Sequence, residues 1–132
     1  MSTTKTGISK LGIVCIACAD QDQMIDFYVG KIGLEKRVDV PFGGGYRWIE
    51  VAPAGAATTI ALAPPPPGAP SGGMETGIGL YTDDVDAEHA ALKARGVDVD
   101  EEVSRMGDAV PPMFWFRDLE GNRLMVVQPS TE

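Results

Sequence analysis

The chain has 132 residues, of which 44% are hydrophobic, and this is enough for one compact domain with a buried core. Its 19 acidic and 11 basic residues give a formal net charge of −8, which disfavours nucleic acids and anionic membranes as partners because both require a basic patch. No signal peptide and no apolar run of about 18 residues is evident, so we expect a cytoplasmic protein whose partners are small molecules.

The first half of the chain reads as a strand, a helix and three further strands. The predicted elements are a strand at residues 11–18, a helix at 20–32, and strands at 34–40, 46–51 and 58–63. Asp20 and Gln23 have the spacing of a helix-capping pair, and Gly33 follows the last apolar residue of the helical stripe. Turns rich in glycine and proline separate the strands, so the predicted order is β-α-β-β-β.

The two cysteines of the sequence, Cys15 and Cys18, belong to the first predicted strand. Side chains alternate between the two faces of a strand, so residues three apart point in opposite directions. Redox-active C-x-x-C motifs lie at the N-terminus of a helix instead. We therefore interpret this pair as two small core residues of a buried strand and not as a disulfide, a zinc site or a redox centre.

A connector at residues 64–73 follows, with four consecutive prolines and a flexible glycine-rich end that cannot continue a sheet. Beyond it the pattern of the first half returns. The second set of predicted elements is a strand at 77–82, a helix at 84–95, a strand at 97–103 and a hairpin at 113–128. The hairpin turns at residues 118–122, where Gly121 and Asn122 suit a left-handed backbone.

The two halves match each other at a period of about 65 residues. The matched positions are Asp20 with Asp84, Gly33 with Gly96, Gly55 with Gly121 and Pro64 with Pro129. This repeat predicts an α+β fold in which residues 1–132 form one domain of two tandem βαβββ modules, at 11–64 and 76–129. Neither module alone can bury both faces of its strands, so two curved mixed sheets should enclose a concave groove with the helices outside.

Three segments of the sequence resemble the vicinal oxygen chelate superfamily, which includes glyoxalase I, bleomycin-resistance proteins and extradiol dioxygenases. The segments are ADQDQMIDFYVGKIGL, TDDVDAEHAALKARGV and FRDLEGNRLMVVQ, and the resemblance extends over residues 11–128. It implies the same duplicated fold. For the metalloenzymes of the family it also implies a divalent ion held by four His, Gln or Glu side chains, one on each of four strands.

At the positions that the resemblance assigns to metal ligands, this chain carries other residue types. The corresponding residues are Ile13, Gly77, Met125 and either Thr59 or Ile60. None supplies the imidazole, carboxylate or thiolate donor that such ions require. The only histidine, His89, lies inside the second predicted helix and is interpreted as a packing residue. No metal and no other cofactor is therefore expected.

Strand alternation selects the side chains that face the groove. If Ile13 and Gly77 face inward, Cys15 and Tyr81 do so as well, while alternate residues such as Ile16 pack under the helices. The candidate ligand-binding residues are Ile13, Cys15, Phe42, Tyr46, Arg47, Trp48, Glu50, Tyr81, Trp115 and Met125. The alternative is that the aromatic members of this set belong to the core, because half of the side chains of any strand face each way.

Two functions from different classes are compatible with this sequence. The first is a metal-free binding protein of the glyoxalase and bleomycin-resistance type, which sequesters a small metabolite or antibiotic in its groove. The second is a metal-dependent lyase, isomerase or dioxygenase acting on a small oxygenated substrate, or a metal-free enzyme that uses Arg47, Glu50 or Tyr81 for acid–base chemistry. Open sheet edges, together with the resemblance, predict a twofold-symmetric homodimer.

Overall fold

The structure, a computed structural model, describes residues 6–130 and consists of two modules that each contain a four-stranded sheet. The first module contains β1 (Ile13–Ala17), α1 (Gln21–Ile25) with its π-helical continuation (Asp26–Ile32), β2 (Glu35–Gly43), β3 (Tyr46–Ala52) and β4 (Thr59–Ala63). The second contains β5 (Glu75–Tyr81), α2 (Val85–Ala94), β6 (Asp98–Val99), β7 (Met113–Arg117) and β8 (Arg123–Val127). Among residues 6–130, no helix has the length and apolar character needed to cross a bilayer.

Both sheets have the same mixed topology. Their strand orders are β1-β4-β3-β2 and β5-β8-β7-β6. In each module the strand before the helix pairs in parallel with the last strand, and the other pairs are antiparallel. The α+β fold of two βαβββ modules is therefore confirmed. A close superposition of residues 11–64 on residues 76–129 stays a prediction.

The first helix begins and ends as its sequence predicts, but its second half is wider than an α-helix. Asp20 caps α1 through its carboxylate, which accepts a backbone N–H of the first turn at 3.0 Å. The π-helical continuation ends where the backbone N–H of Leu34 donates to the carbonyl of Tyr28. Gly33 supplies the left-handed residue at this end, with φ of 93°. Two consecutive aromatic residues, Phe27 and Tyr28, are both buried in the wider turn.

One continuous core lies between the helices and one face of both sheets. The largest fully buried side chains are Tyr28, Phe114, Phe116, Ile16, Met24, Ile49, Leu62, Leu92 and Leu124. Val14, Ile78 and Leu80 also pack against this core, which confirms the alternation predicted for β1 and β5. Because the core draws side chains from both modules, neither sheet buries its apolar face without the other.

A buried hydrogen bond connects the two modules. The hydroxyl of Tyr28 donates to the carboxylate of Asp118, in the β7–β8 turn, at 2.7 Å. The same carboxylate accepts the backbone N–H groups of Glu120 and Asn122 and the side-chain amide of Asn122. Burial and the neighbouring charge of Asp118 raise the pKa of Tyr28 well above its usual range. The phenol therefore stays protonated and continues to donate.

The β7–β8 turn also contacts the helix and the connector of the first half. The carboxylate of Glu120 accepts the backbone N–H groups of Ala19 and Asp20 at distances between 2.9 and 3.0 Å. These N–H groups precede α1, where the helix dipole favours a negative charge. The backbone N–H of Gly73 donates to the carbonyl of Glu120 at 2.9 Å. The glycine-rich end of the connector, predicted to be flexible, is thus docked on this turn.

Three strands differ from their sequence predictions by two or more residues in length. β1 comprises Ile13–Ala17, whereas the sequence predicts a strand at 11–18. β2 continues past Pro41. Proline lacks a backbone N–H, and β2 tolerates it because an edge strand pairs with a neighbour on one side only.

β6 comprises only Asp98–Val99, whereas the sequence predicts a strand at 97–103. Beyond β6, the backbone N–H of Asp100 donates to the carbonyl of Trp115, and the side chain of Asp100 accepts the backbone N–H of Trp115, each at 3.0 Å. Further along, only an isolated bridge between Ser104 and Met113 continues the pairing among the described residues.

Replacing Tyr28 with Phe should weaken the junction between the modules. The variant loses one donor to a buried carboxylate, so we expect the free energy of unfolding to fall by about 1–3 kcal/mol. Urea denaturation followed by tryptophan fluorescence measures this change. Tyr81→Phe is the matched control, because Tyr81 is 77% exposed, and it should have the stability of the wild type. Equal stability of Tyr28→Phe and the wild type would contradict a stabilising role of this hydrogen bond.

Candidate functional site

A cleft of about 540 Å³ lies between β1 and β5, which are edge strands of the two sheets. Its lining is mostly apolar and includes Leu11, Val14, Cys15, Ile60, Gly79 and Tyr81. The volume falls within the range of small-molecule binding sites. Of the sequence-predicted site residues, the cleft therefore brings together Cys15 and Tyr81.

Strand register places residues of the two modules in matching rows on the groove face of the sheets. The rows are Cys15, Ala61 and Glu50 across β1, β4 and β3, and Gly79, Met125 and Trp115 across β5, β8 and β7. Neighbouring strands are about 4.8 Å apart, so each row extends roughly 10 Å inward from the cleft edge. Glu50 in the first module occupies the position of Trp115 in the second.

Glu50 belongs to a hydrogen-bonded cluster on the first sheet. One carboxylate oxygen accepts the indole N–H of Trp48 at 2.8 Å, and the other accepts the hydroxyl of Thr59 at 2.8 Å. Trp48 and Glu50 are partly buried, and Thr59 is buried. The two donors hold the carboxylate in one orientation on the groove face. This cluster joins two predicted ligand-binding residues to Thr59, which the resemblance names only as a possible metal-ligand position.

Trp115 belongs to a different cluster on the second sheet. The guanidinium of Arg123 stacks over the indole ring, with 4.6 Å between its central carbon and the ring centroid. Arg123 also forms an ion pair with Glu75. A guanidinium stacked on an aromatic face buries the long side chain without removing its charge. The groove face of this sheet therefore combines aromatic surface with a cation that is already paired.

Arg47, another predicted site residue, lies on the opposite face of β3 from Glu50. Its guanidinium donates to Asp39 at 2.9 Å and to Asp22 at 2.7 Å. The hydrogen bonds from Arg47, and then from Lys36, hold the pKa of Asp39 well below its usual range. The structure thus places Arg47 in an ion-pair network beside α1 and away from Trp48 and Glu50.

Of the remaining predicted site residues, Ile13 and Tyr46 lie near the rims of the first sheet, whereas Met125 lies on an inner strand of the second. Ile13 on β1 is 40% exposed, and Tyr46 at the start of β3 is 46% exposed. Met125 on β8 is partly buried and lies beside Gly79. The side chain of Phe42 lies outside the described part of the structure.

The positions that correspond to family metal ligands do not form a donor set. Ala61 pairs with Cys15 on β1, as Met125 pairs with Gly79 on β5. Strand pairing therefore makes Ala61 the counterpart of Met125. The resemblance of the sequence assigns this position to Thr59 or Ile60 instead. A methyl group and a thioether are poor ligands for Mg²⁺, Zn²⁺, Ni²⁺ or Fe²⁺. Within residues 6–130, no three His, Cys, Asp or Glu side chains come together as a metal site would require.

The two cysteines have contrasting environments, which agrees with their pointing in opposite directions. The interpretation of both as core residues is wrong for Cys15, because β1 is an edge strand and Cys15 lies on the face away from the core. Cys15 is exposed and lines the cleft, whereas Cys18 is fully buried. Burial, followed by the negative charges of Glu120, Asp118 and Asp20, raises the pKa of Cys18 from 9.0 to about 12. Its thiol is therefore protonated and unreactive at neutral pH.

Sequence reasoning names Thr59 only as a possible metal-ligand position and does not name Arg123, although both contact predicted ligand-binding residues. Strand alternation contains enough information to find Arg123, because it lies two residues before Met125 on the same strand. Thr59 is different. Its contact with Glu50 depends on how β3 pairs with β4, and no local pattern in the sequence specifies that register.

Comparisons with known sequences identify the family to which these features correspond. The profile of the Glyoxalase/Bleomycin resistance protein/Dioxygenase superfamily matches residues 10–126. The chain is 30% identical over 115 residues to the uncharacterized protein YetH of Bacillus subtilis (strain 168). This alignment covers 87% of the present chain and 94% of YetH.

Solved structures show the same architecture over nearly the whole chain. TnmS3, an antibiotic binding protein from Streptomyces sp. CB03234, is 36% identical with a TM-score of 0.83, covering 96% of this chain and 100% of TnmS3. A superfamily member from Sphaerobacter thermophilus DSM 20745 is 33% identical with a TM-score of 0.84, covering 92% of this chain and 98% of that protein.

Alkylation should distinguish the two cysteines. At pH 8, iodoacetamide should modify Cys15 rapidly and leave Cys18 unmodified, because the buried thiol has a pKa of about 12. Mass spectrometry of peptides locates the label. Cys18 should become reactive only after denaturation in urea, which serves as the positive control. Modification of both thiols at equal rates in the folded protein would contradict the burial of Cys18.

Proposed function

Because this chain belongs to the Glyoxalase/Bleomycin resistance protein/Dioxygenase superfamily, we propose that it binds and sequesters a small molecule in its groove without a metal ion. The observation that carries this proposal is the largely apolar cleft of about 540 Å³ between β1 and β5. Such a cleft suits burial of a flat or amphiphilic molecule, with a few polar groups for orientation.

A structural relative supports a binding function. TnmS3 is described as an antibiotic binding protein, and its similarity to this chain covers both proteins almost completely. We propose the same class of ligand here, a small metabolite or an antibiotic. In this proposal Cys15 and Tyr81 contact the ligand at the cleft, while Trp48, Glu50 and Trp115 contribute the neighbouring groove face.

The groove also supports binding in preference to metal-assisted catalysis. Lewis-acid chemistry in this family requires strong donors that converge on one ion, and Ala61 and Met125 supply none. The remaining candidate is a metal-dependent lyase, isomerase or dioxygenase, and metal titration distinguishes it from the binding protein.

We further propose that the protein forms a twofold-symmetric homodimer. Three apolar or aromatic side chains are exposed along β1 and β5. Leu11, just before β1, is 70% exposed, Ile13 on β1 is 40% exposed, and Tyr81 on β5 is 77% exposed. Both strands are edges of their sheets among the described residues, and edge strands present unpaired backbone groups. A second chain that covers this region would bury apolar side chains and complete the groove with residues from both chains.

Filling the cleft should abolish ligand binding. A Cβ atom added at Gly79 would make ordinary contacts of 3.7–3.8 Å with Val127 and Met125, so a side chain there extends into the cleft without backbone strain. Acridone, a flat neutral tricycle, serves as the probe, and quenching of tryptophan fluorescence reports its binding. We expect the wild type and Gly79→Ala to bind acridone in the presence of EDTA, and Gly79→Phe to lose binding.

Calorimetric titration of the apoprotein with Ni²⁺, Zn²⁺, Mn²⁺ and Fe²⁺ provides the complementary result. The binding proposal expects no stoichiometric heat from any of these ions. Stoichiometric metal binding, together with acridone binding that EDTA abolishes, would contradict it and favour the enzyme. Binding of acridone that is unchanged in Gly79→Phe would show that the cleft is not the site.

Sedimentation equilibrium at micromolar concentration should give the mass of two chains. A single 14.0 kDa species without concentration dependence would exclude the dimer. Cross-linking between β1 and β5, in mixtures of differently labelled chains, then shows whether each groove belongs to one chain or to two. Ile13→Glu places a charge on the proposed interface and should shift the equilibrium towards the monomer, whereas Glu101→Gln on the exposed surface should not.

A further inference from the structure

The carboxylate of Glu50 lies in an apolar part of the groove face. Across the sheet its neighbours are Ala61 on β4 and Val38 on β2. Ala61 is fully buried, and Val38 and Glu50 are partly buried. A carboxylate in such surroundings interacts more strongly with a positive charge than one in open water, because the local dielectric constant is lower.

The hydrogen bonds of Glu50 orient its carboxylate and leave acceptor capacity. Trp48 occupies one oxygen and Thr59 the other, each at 2.8 Å. An ionised carboxylate has about four lone-pair positions, so each oxygen can accept a further donor. Both protein donors come from the first sheet, and Trp48 also places aromatic surface beside the carboxylate. In the role proposed below for Glu50, a ligand occupies the remaining acceptor positions.

No protein cation neutralises this carboxylate in the part of the chain that the structure describes. The ion pairs among residues 6–130 do not include Glu50. Arg47, on the same strand, is engaged by Asp39 and Asp22 on the other face. Arg123, on the second sheet, is paired with Glu75. The formal net charge of −8 adds a long-range attraction for cations.

We propose that Glu50 is a specificity-determining residue that selects flat ligands carrying a protonated nitrogen. This inference rests on the proposed binding function and specifies the chemical class of its ligand. The protonated nitrogen donates a charge-assisted hydrogen bond to Glu50, and the flat body of the ligand packs on Trp48 and the small residues of the cleft. Trp115, which holds the corresponding position in the second module, contributes aromatic surface and no charge.

Substitution by glutamine tests the charge while retaining the shape of the cluster. In Glu50→Gln the side-chain carbonyl accepts the Trp48 N–H, and the amide donates to the Thr59 hydroxyl, which is able to accept. Both hydrogen bonds of the cluster are thus preserved, and circular dichroism should show an unchanged fold. Glu101→Gln, in an exposed segment, is the matched control because it changes the net charge by the same amount.

Two probes of similar shape separate charge recognition from groove binding. Proflavine is a flat tricyclic cation, and acridone is its neutral counterpart. We expect Glu50→Gln to lower proflavine affinity by about tenfold or more, and to leave acridone affinity within about twofold of the wild type. Glu101→Gln should bind both probes like the wild type. Tryptophan quenching, at two salt concentrations, measures all six affinities.

Equal losses of proflavine affinity in Glu50→Gln and Glu101→Gln would assign the effect to net charge and overturn the proposal. Unchanged proflavine affinity in Glu50→Gln would also overturn the proposal for Glu50. In that case, binding of acridone to the wild type would still support the proposed binding function. If the wild type bound neither probe, both the role of Glu50 and the proposed function would be contradicted.

Discussion

The hydrogen bond from Tyr28 to Asp118 connects the helix of the first module to the last turn of the second, and the geometry of the groove depends on it. β1 leads through residues 18–20 directly into α1, so the position of this helix sets the position of the strand. Glu120 reinforces the arrangement by accepting two N–H groups at the start of the helix. These hydrogen bonds act together with the pairing of β1 with β4 and with the shared core to hold the two modules, and so β1 and β5, together.

The equivalent junction, between α2 and the β3–β4 turn, has apolar residues at the positions of Tyr28 and Glu120. In the internal repeat Leu92 takes the place of Tyr28, and Ala54 takes the place of Glu120. A smaller cavity of about 220 Å³ lies at this second junction, lined in part by Ala54 and Leu92. The second helix is instead capped within its own module, where the side chain of Gln128 accepts a backbone N–H. The two modules thus share the same sheet topology, which requires only alternation of apolar and polar side chains along each strand. The residues that join the modules differ between the two junctions.

The groove face shows the same divergence of equivalent positions. Glu50 and Trp115 occupy matching places in the two sheets, so one face presents an oriented carboxylate and the other an indole covered by Arg123. The inner position of each row, Ala61 or Met125, carries no metal donor. An oriented carboxylate and an indole suit the recognition of a ligand by its shape and charge, which is the proposed function. In the proposed binding function, the difference in polarity between the two faces favours one direction of the ligand.

Local patterns in the sequence determined the fold class, because helix caps, turn glycines and strand alternation act over a few residues. They also determined the duplication and the opposite directions of Cys15 and Cys18. The tertiary structure alone decided which residues meet across strands. It placed Thr59 on Glu50 and directed Arg47 to Asp39 on the opposite face of β3, since register depends on backbone pairing between distant segments. For the same reason, no local pattern identifies the bond from Tyr28 to Asp118, whose partners are 90 residues apart and meet only when both modules have folded.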